Sequence, residues 1–307
     1  MQEEKKGKLY ICATPIGNLG DMTPRAVEAL READVIAAED TRNSIKLLNH
    51  FGIKTPMTSY HEFNKYEKAD ELVGQMRSGK TVAIITDAGT PCISDPGEVL
   101  AAKCAEAGIE MTSLPGASAV ITALTLSALS TRRFVFEGFL PPVKNKRERQ
   151  EALSRLVQET RTIVLYEAPH HLTATLRELA ELLGGERRIS LCRELTKRYE
   201  EVERTNLGAA LSLFESGAKE PKGEYVLVIE GCDPEELRRA EQADFLSMSV
   251  TEHVQKYLDA GLDKKEAMKA AAKDRGVSKR DIYQALLADS AAADDDGSQG
   301  TEILLWK

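Results

Sequence analysis

Short apolar runs that alternate with amphipathic segments dominate the first 130 residues. Residues 9–13, 34–38, 82–85 and 110–114 have the composition of buried strands. Thr23-Pro24 then supplies an N-cap followed by proline at the first helical position, and further helical spacings follow the later strands. Such alternation predicts an α/β domain with a largely parallel sheet over residues 1–130.

In residues 131–235, short apolar runs again alternate with amphipathic segments, although the sequences differ from those of the first region. Amphipathic helices are predicted at residues 151–159 and 171–183. The strands that they separate are predicted at residues 134–136, 162–166, 189–192 and 225–229. The stretch FLPPVKNKRERQ has two adjacent prolines and several basic residues, and it predicts an exposed connection. A second α/β domain is therefore expected.

From residue 245 the pattern becomes purely helical. Helices are predicted at residues 251–258, 264–274 and 278–287, with Gly276 ending the second and Ser278 capping the third. Their inward positions are predicted to be Val254, Leu258, Met268, Ala271, Ile282 and Leu286. Residues 245–288 thus form a small helical module, and the acidic stretch 289–307 is predicted to be disordered.

Composition narrows the functional classes. The 307 residues carry a net charge of -8, which argues against polyanion binding over the whole surface and leaves local nucleic-acid contacts. Five cysteines form no C-x-x-C pair and no cluster with histidine, so no metal site or disulfide framework is indicated. No apolar run reaches the length of a membrane span, and the protein is expected to be cytoplasmic.

One apparent motif is excluded by its context. Residues 74–81, GQMRSGKT, match the phosphate loop of nucleotide hydrolases. That loop needs a strand before it and a helix after it, so that helical N–H groups face the phosphates. Here a predicted helix precedes the motif and a strand follows it, and Gly79 is interpreted as a helix terminator.

Three loops rich in glycine and proline follow predicted strands: TPIGNL from residue 14, TDAGTPCISDPG from residue 86 and LPGASA from residue 114. Ligands of open α/β sheets bind outside the carboxyl ends of the strands. Glycine allows backbone to approach a ligand, and proline fixes a loop before binding. Any one of these loops alone is explained as a tight turn. Together they predict a ligand site at one edge of the sheet.

The motifs TPIGNLGDMTPRA, AEDTR, TDAGTPCISDPG, LPGASAVITAL, FEGFLP, YEAPHH, RELTK and KGEYVLVIEG occur in this order over residues 9–231. In this set the chain resembles the tetrapyrrole methylase superfamily, and more narrowly its ribosomal RNA branch of (cytidine-2'-O) methyltransferases. The resemblance implies two α/β domains with S-adenosylmethionine in the cleft between them and a homodimer. It also implies methyl transfer to a ribose hydroxyl in the decoding region of 16S rRNA.

The resemblance also implies the cofactor contacts, carried over by position. They are Pro15, Asp87, Ala88, Gly89, Ile93, Ser118, Ala119, Tyr166, Glu167, Ala168, Leu195, Glu224 and Tyr225. No G-x-G-x-x-G follows the first strand, so an ordinary dinucleotide pocket is not indicated. For Ile93, Ala119 and Leu195, ordinary core packing is the alternative.

A ribose hydroxyl is a weak nucleophile at neutral pH, so a proton acceptor near it would help. Within the stretch EDTR, residues 39–42, Asp40 is a candidate for this role, and Glu194 is another. Arg42 and Lys197 are candidates for holding phosphates, and His61 is a further catalytic candidate. Alternatively, Asp40 caps the next helix or pairs with Arg42. The family motif often reads His-Glu-His-Asn here, and this chain departs from it with Phe63.

Two basic clusters are candidates for RNA contacts. Residues 264–280 contain seven basic and two acidic side chains in a module that resembles a helix-turn-helix. The predicted RNA contacts are Lys144, Lys146, Arg147, Arg149, Lys273, Arg275, Lys279 and Arg280. The alternative is a solvated helical face.

At the level of function, two alternatives remain. One is a methyltransferase of tetrapyrroles or other small molecules, and the other is a nonenzymatic RNA-binding module.

Overall fold

The protein is described by a computed structural model that covers residues 7–295. The chain divides into two units, residues 1–231 and residues 232–307. Two five-stranded sheets lie in the first unit, and the described part of the second unit is helical. The predicted α/β class with an added helical module is confirmed. The final stretch of the predicted tail, residues 296–307, lies outside the described residues.

The first sheet is parallel throughout, with strand order β3-β2-β4-β1-β5. Its strands are β1 (Lys8–Cys12), β2 (Val35–Ala38), β3 (Met57–Ser59), β4 (Val82–Ile85) and β5 (Glu110–Leu114). Its helices are α1 (Pro24–Glu32), α2 (Thr41–His50), α3 (Lys65–Arg77), α4 (Gly97–Glu106) and α5 (Ala119–Leu126). Helix α1 begins as predicted, because Thr23 Oγ1 accepts a hydrogen bond from the N–H of Ala26. The order α3, Gly79, β4 confirms that the phosphate-loop motif has the wrong context.

Apolar side chains cover both faces of this sheet, which explains why its strands read as continuous hydrophobic runs. On one face Leu30, Ile36 and Ile85 belong to one buried cluster. On the other face Leu9 and Ile84 belong to a second buried cluster. Since parallel strands all point the same way, the carboxyl ends of the five strands lie at one edge of the sheet.

The second sheet has the order β6-β7-β10-β8-β9. Its strands are β6 (Phe134–Phe139), β7 (Thr162–Glu167), β8 (Arg188–Arg193), β9 (Glu201–Asn206) and β10 (Tyr225–Ile229). Its helices are α6 (Lys146–Val157), α7 (Pro169–Leu183) and α8 (Leu207–Glu215). Only β6 and β7 pair in parallel, and the other pairs are antiparallel. The second sheet therefore does not repeat the parallel arrangement of the first.

The expected exposed connection is shorter than predicted. Helix α6 already begins at Lys146, and Arg149 in its first turns is 4% exposed. Its guanidinium donates to the carboxylate of Glu178, to Thr175 Oγ1 and to the carbonyl oxygen of Pro141. We therefore correct the assignment of Arg149 as an RNA contact: the side chain is a buried structural group.

The second unit contains α9 (Pro234–Ser247), α10 (Val250–Asp259), α11 (Lys264–Arg275) and α12 (Lys279–Asp295). Gly276 ends α11 in the left-handed conformation with a φ of 67°, as predicted. Ser278 Oγ accepts a hydrogen bond from the N–H of Asp281, which confirms its capping role. Of the predicted inward positions, Leu258 packs beside the core and the others are buried. Helix α12 continues to Asp295, whereas the sequence predicts its end at residue 287.

Candidate functional site

The loops that follow β1, β4 and β5 contact one another at one edge of the first sheet. Thr14 and Gly89 exchange two backbone hydrogen bonds of 2.9 and 3.0 Å. Thr90 Oγ1 donates to the carbonyl oxygen of Ala117 at 3.0 Å. Gly116 lies so close to Ala13 that a Cβ on Gly116 would be 2.7 Å from the Cβ of Ala13. The three loops form one wall, which we call the loop wall.

A cavity of about 480 Å³ separates the loop wall from the second sheet. This volume is in the range of pockets that bind small molecules and cofactors, about 300–1,000 Å³. Most of the predicted cofactor residues line it: Ala88, Gly89, Ile93, Ser118, Ala119, Tyr166, Glu167, Ala168, Leu195, Glu224 and Tyr225. Pro15 and Asp87 are not among the lining residues, and their contact with the cofactor stays a prediction. The neighbour of Pro15, Ile16, lines the cavity, and Asp87 accepts a hydrogen bond from Asn43 Nδ2 at 3.2 Å.

Several lining residues are absent from the predicted set: Ile16, Glu39, Thr86, Thr90, Ser94, Asp95, Phe139, Pro169, Cys192 and Val226, together with Lys197, which the sequence assigned to phosphate contacts. The motifs AEDTR, TDAGTPCISDPG and YEAPHH contain several of them. The sequence therefore located the cavity by whole motifs rather than by single residues. Phe139 ends β6 within the motif FEGFLP. Cys192 is the penultimate residue of β8, outside the quoted motifs, and its position at the cavity becomes visible only once the order of the second sheet is known.

Charged side chains form the opposite side of the cavity. Lys197, Glu224 and Glu167 line it, and Glu194 pairs with Lys197; we call these four side chains the charged wall. Lys197 Nζ donates to Glu194 Oε1 at 2.9 Å and to Glu224 Oε2 at 2.8 Å. Glu167 Oε1 accepts from the N–H of Ala168 at 2.8 Å, and its Oε2 accepts from Thr175 Oγ1. Both oxygens of Glu167 are thus engaged within the protein, and its carboxylate shapes the loop after β7.

Glu194 itself does not line the cavity, although its ion pair with Lys197 does reach it. Burial acts to raise the pKa of Glu194, but the N–H of Glu224 and the ammonium of Lys197 outweigh it and lower the pKa. A carboxylate with a lowered pKa is a weak base. Glu194 and Thr196 also adopt left-handed conformations, with φ of 50° and 66°, which strain the turn that presents Lys197.

Asp40 is also engaged outside the cavity. Its Oδ1 accepts from the N–H of Arg42 at 2.8 Å, which caps α2, and its Oδ2 pairs with Arg42 Nη2 at 2.7 Å. The side-chain hydrogen bonds from Arg42 lower the pKa of Asp40 to about 2. The alternative interpretation of Asp40, as a helix cap paired with Arg42, therefore describes the structure.

His61 lies in the turn after β3. Its backbone N–H donates to Asn64 Oδ1 at 2.8 Å, and its Nδ1 atom is buried without a hydrogen-bond partner among the described residues. Neither His61 nor Arg42 lines the cavity. In the same turn Phe63 is 97% exposed, and in the first turn of α2 the side chain of Arg42 is 88% exposed.

Of the basic residues predicted to contact RNA, Lys144, Lys146 and Arg147 are exposed in the first unit. Lys273, Lys279 and Arg280 are exposed in the second unit. Arg275 is not free, because it donates to His253 Nδ1 at 3.1 Å and to the carbonyl oxygens of Met248 and Ser249. We correct its assignment: Arg275 joins helices within the module.

The donor set of the cavity fits a cationic, largely apolar ligand. Ile16, Ala119 and Val226 provide apolar surface. The charged side chains that line the cavity are the carboxylates Glu39, Asp95, Glu167 and Glu224 and the ammonium of Lys197. This excess of negative charge favours a sulfonium or ammonium group and disfavours phosphate. The residues present therefore fit the S-adenosylmethionine that the sequence resemblance implies.

Comparison with known proteins gives consistent results. The family model of Tetrapyrrole (Corrin/Porphyrin) Methylases matches residues 8–211. "Ribosomal RNA small subunit methyltransferase I" of Synechocystis sp. is 48% identical over 278 residues, which cover 91% of this chain and 96% of that protein. The protein of the same name from Bacillus subtilis is 43% identical and covers 91% of this chain and 94% of its own length.

Solved structures share the fold at low sequence identity. Diphthine synthase has a TM-score of 0.56 at 14% identity, covering 73% of this chain and 90% of its own. Uroporphyrin-III C-methyl transferase from Thermus thermophilus, complexed with S-adenyl homocysteine, has a TM-score of 0.51 at 16% identity, covering 73% of this chain and 97% of its own. At these identities the similarity shows the fold.

Proposed function

The chain belongs to the tetrapyrrole methylase family, and within it to the ribosomal RNA small subunit methyltransferase I group, and from that membership we propose its reaction. It catalyses the S-adenosylmethionine-dependent 2'-O-methylation of a cytidine in the decoding region of 16S rRNA. The substrate is the assembled small ribosomal subunit, and the enzyme acts in the cytoplasm as a homodimer. The observation that carries the proposal is the carboxylate-rich cavity between the loop wall and the charged wall.

S-adenosylmethionine supplies the methyl group, which it carries on a positively charged sulfur. Apolar lining from Ile16, Ala119 and Leu195 would hold the adenosine, and backbone of Ala88 and Gly89 would approach it closely. The charged wall would close the cavity from the opposite side. Methyl transfer needs the acceptor oxygen, the carbon and the sulfur in line, and holding reactants in this way supplies up to about 7–11 kcal/mol in the best cases.

A nucleic-acid acceptor is supported by the side chains beside the cavity. Arg42 and Phe63 follow β2 and β3, adjacent parallel strands whose carboxyl ends share the edge that carries the loop wall. An exposed guanidinium contacts phosphates, and an exposed aromatic ring stacks on a base for about 1–3 kcal/mol. Neither group would be needed for a small tetrapyrrole held within the cavity. The arrangement favours a nucleotide over a small-molecule acceptor.

The assembled subunit is proposed as substrate because positive charge is local on an acidic chain. Lys144, Lys146 and Arg147 form one exposed basic cluster in the first unit. Lys273, Lys279 and Arg280 form another in the second unit. With a net charge of -8, the chain as a whole repels RNA. Folded rRNA is able to present phosphates to both clusters at once, which a flexible fragment is not.

Methylation of purified subunits tests the proposal. The full chain is incubated with methyl-labelled S-adenosylmethionine and small subunits, protein-free 16S rRNA or a tetrapyrrole, and modified riboses are mapped. We expect one 2'-O-methylated cytidine in the decoding region, formed much faster on subunits. Equal rates on protein-free rRNA would contradict the assembled-subunit substrate. Labelling of the tetrapyrrole alone, or of a base, would contradict the reaction.

The basic cluster of the second unit is tested by its salt dependence. Replacing Lys273, Lys279 and Arg280 by glutamine should weaken subunit binding and flatten the dependence of log K on log salt by about 0.7–0.9 for each lost phosphate contact. Affinity for S-adenosylmethionine, measured by calorimetry, should stay the same. An unchanged salt slope would remove the second unit from the RNA interface.

Sedimentation of the purified chain at several concentrations tests the homodimer.

A further inference from the structure

The carboxylates that line the cavity differ in what their oxygens already bind. Both oxygens of Glu167 accept hydrogen bonds within the protein. Glu224 pairs with Lys197, and its side chain is 80% exposed, so water surrounds it. Asp95 Oδ1 accepts from two backbone N–H groups, and its Oδ2 has almost no exposed surface and no hydrogen-bond partner among the described residues. Three of the four are thereby poorly suited to receive a proton from a substrate.

Glu39 is different, because one oxygen is fixed and the other is free. Thr86 Oγ1 donates to Glu39 Oε2 at 2.6 Å. Thr86 is itself held, since Thr14 Oγ1 donates to the carbonyl oxygen of Thr86 at 3.1 Å, and Thr86 is 9% exposed. Among residues 7–295, Glu39 Oε1 has no hydrogen-bond partner and is not one of the buried unpaired atoms. A carboxylate anchored at one oxygen and accessible at the other has the arrangement of a general base.

We propose that Glu39 is the catalytic proton acceptor of this enzyme and that Thr86 orients it. The inference rests on the proposed function, because it needs an acceptor hydroxyl. The ribose oxygen forms its bond to the methyl carbon while the carbon–sulfur bond breaks, and the sulfur keeps that electron pair. The hydroxyl proton passes to Oε1 of Glu39. Charge balances, since the positive sulfonium becomes a neutral thioether and the carboxylate becomes a carboxylic acid.

The two proton acceptors expected from the sequence do not compete for this role. Asp40 and Glu194 are each tied to a basic side chain, and neither lines the cavity. Glu39 directly follows Ala38, the last residue of β2, and precedes Asp40, which caps α2. The same motif therefore supplies a cavity-lining carboxylate at its first acidic position and a helix cap at its second.

Glu39→Gln is the direct test, with Glu28→Gln as its matched control. Glu28 is exposed on α1 and does not line the cavity. Glu39→Gln should lower the single-turnover rate by about 10²–10⁴ at saturating cofactor and subunits. Calorimetry should show S-adenosylmethionine affinity within about threefold of wild type, and the unfolding midpoint should be retained. Glu28→Gln should leave all three measurements unchanged.

The orienting role of Thr86 is tested by the variants Thr86→Val and Thr86→Ser. Valine keeps the shape but removes the hydroxyl, so the rate should fall by about tenfold, whereas serine should restore most of it. Thr86→Val should lower kcat with little change in KM, and it should add nothing to the loss already caused by Glu39→Gln. Independent, additive losses in the double variant would show that Thr86 acts by a route other than Glu39.

The outcomes separate this inference from the proposed function. A wild-type chain that transfers no methyl group to ribose would overturn both. An active wild type with Glu39→Gln within threefold of its rate would overturn the role of Glu39 alone. Loss of cofactor binding in Glu39→Gln, with the chemical step intact once cofactor is saturating, would make Glu39 a cofactor ligand and also overturn it.

Discussion

The two walls of the cavity are held together by different forces. Backbone hydrogen bonds and a close glycine contact fix the loop wall, as at Thr14, Gly89 and Gly116. Ionic and hydrogen-bonding side chains fix the charged wall, where Lys197 donates to Glu194 and Glu224. Behind the wall, Arg149 donates to Thr175, which in turn donates to Glu167. Backbone contacts survive most side-chain changes, whereas a buried charge that loses its partner is costly. Different substitutions should therefore destabilise the two walls.

The largest effect is expected from Arg149→Met, which removes the buried support behind the charged wall. Methionine fills similar volume but leaves Glu178, Thr175 and the carbonyl of Pro141 without their donor. The free energy of unfolding should fall by about 3–5 kcal/mol, measured by urea denaturation. Arg147→Met is the matched control, because the pair of Arg147 with Glu151 is exposed and should contribute at most about 1 kcal/mol. Equal losses in the two variants would refute a buried structural role.

An intermediate effect is expected from Gly116→Ala, which breaks the loop wall. The new methyl group would lie 2.7 Å from the Cβ of Ala13, so the loop must shift. Stability should fall by about 1–3 kcal/mol, and calorimetry should show weaker binding of S-adenosylmethionine.

The control for this change is the same substitution at Gly74. Gly74 lies inside α3 with no heavy atom within 4 Å of an added Cβ. Gly74→Ala should stabilise the chain by about 0.5–1 kcal/mol and leave cofactor affinity unchanged. It also alters the first glycine of the phosphate-loop motif, so a loss of activity in Gly74→Ala would contradict the exclusion of that motif.

The smallest effect concerns Asp95, the buried carboxylate of the loop wall. Burial first, and the negative charge of Glu39 in addition, raise the pKa of Asp95. Tyr60 and Cys92 also lie near it. A raised pKa means that the stability contributed by the protonated group is present below its unfolded pKa and lost as pH rises through the folded pKa. Asp95→Asn keeps an acceptor for the N–H of Gly97 but removes the ionisable group. At neutral pH it should be more stable than wild type by about 1 kcal/mol.

The pH dependence of the stability gain of Asp95→Asn tests whether removal of the ionisable group causes it. Thermal unfolding at several pH values should show the advantage of Asp95→Asn shrinking as pH falls through the raised folded pKa of Asp95 and lost below about 4, where aspartate is protonated even in the unfolded chain. A variant that is less stable than wild type at neutral pH would show that the carboxylate of Asp95 is satisfied in the folded chain.

The loop wall was predictable from sequence because its signals are local. Glycine and proline directly after apolar runs predict loops at strand ends, and parallel strands bring these loops together without further information. The second sheet and the buried groups behind the charged wall were less predictable. Strand β9, with the sequence EVERTN, is charged and half-exposed, and its pairing with β8 depends on tertiary context. The buried state of Arg149 likewise depends on Glu178, a partner 29 residues away.

Within the candidate site, the sequence identified motifs better than individual side chains. EDTR was correctly placed at the end of β2. The choice between Asp40 and Glu39, however, depends on which way each side chain points, and the sequence does not give this. That direction is set by where the strand ends and α2 begins. Helix boundaries are uncertain by one or two residues in sequence analysis, which is enough to exchange a helix cap for a cavity-lining group.

The strand order of the first sheet has a consequence for synthesis. Strand β1 leaves the ribosome first but lies between β4 and β5, so its hydrogen-bonding partners are completed only when Leu114 has been made. At about 5–20 residues per second, the apolar β1 segment waits several seconds without either neighbour. Strands β8 and β9, in contrast, pair soon after they emerge. A nascent chain arrested between β1 and β4 would therefore expose an unpaired apolar strand, the kind of segment that chaperones shield from aggregation.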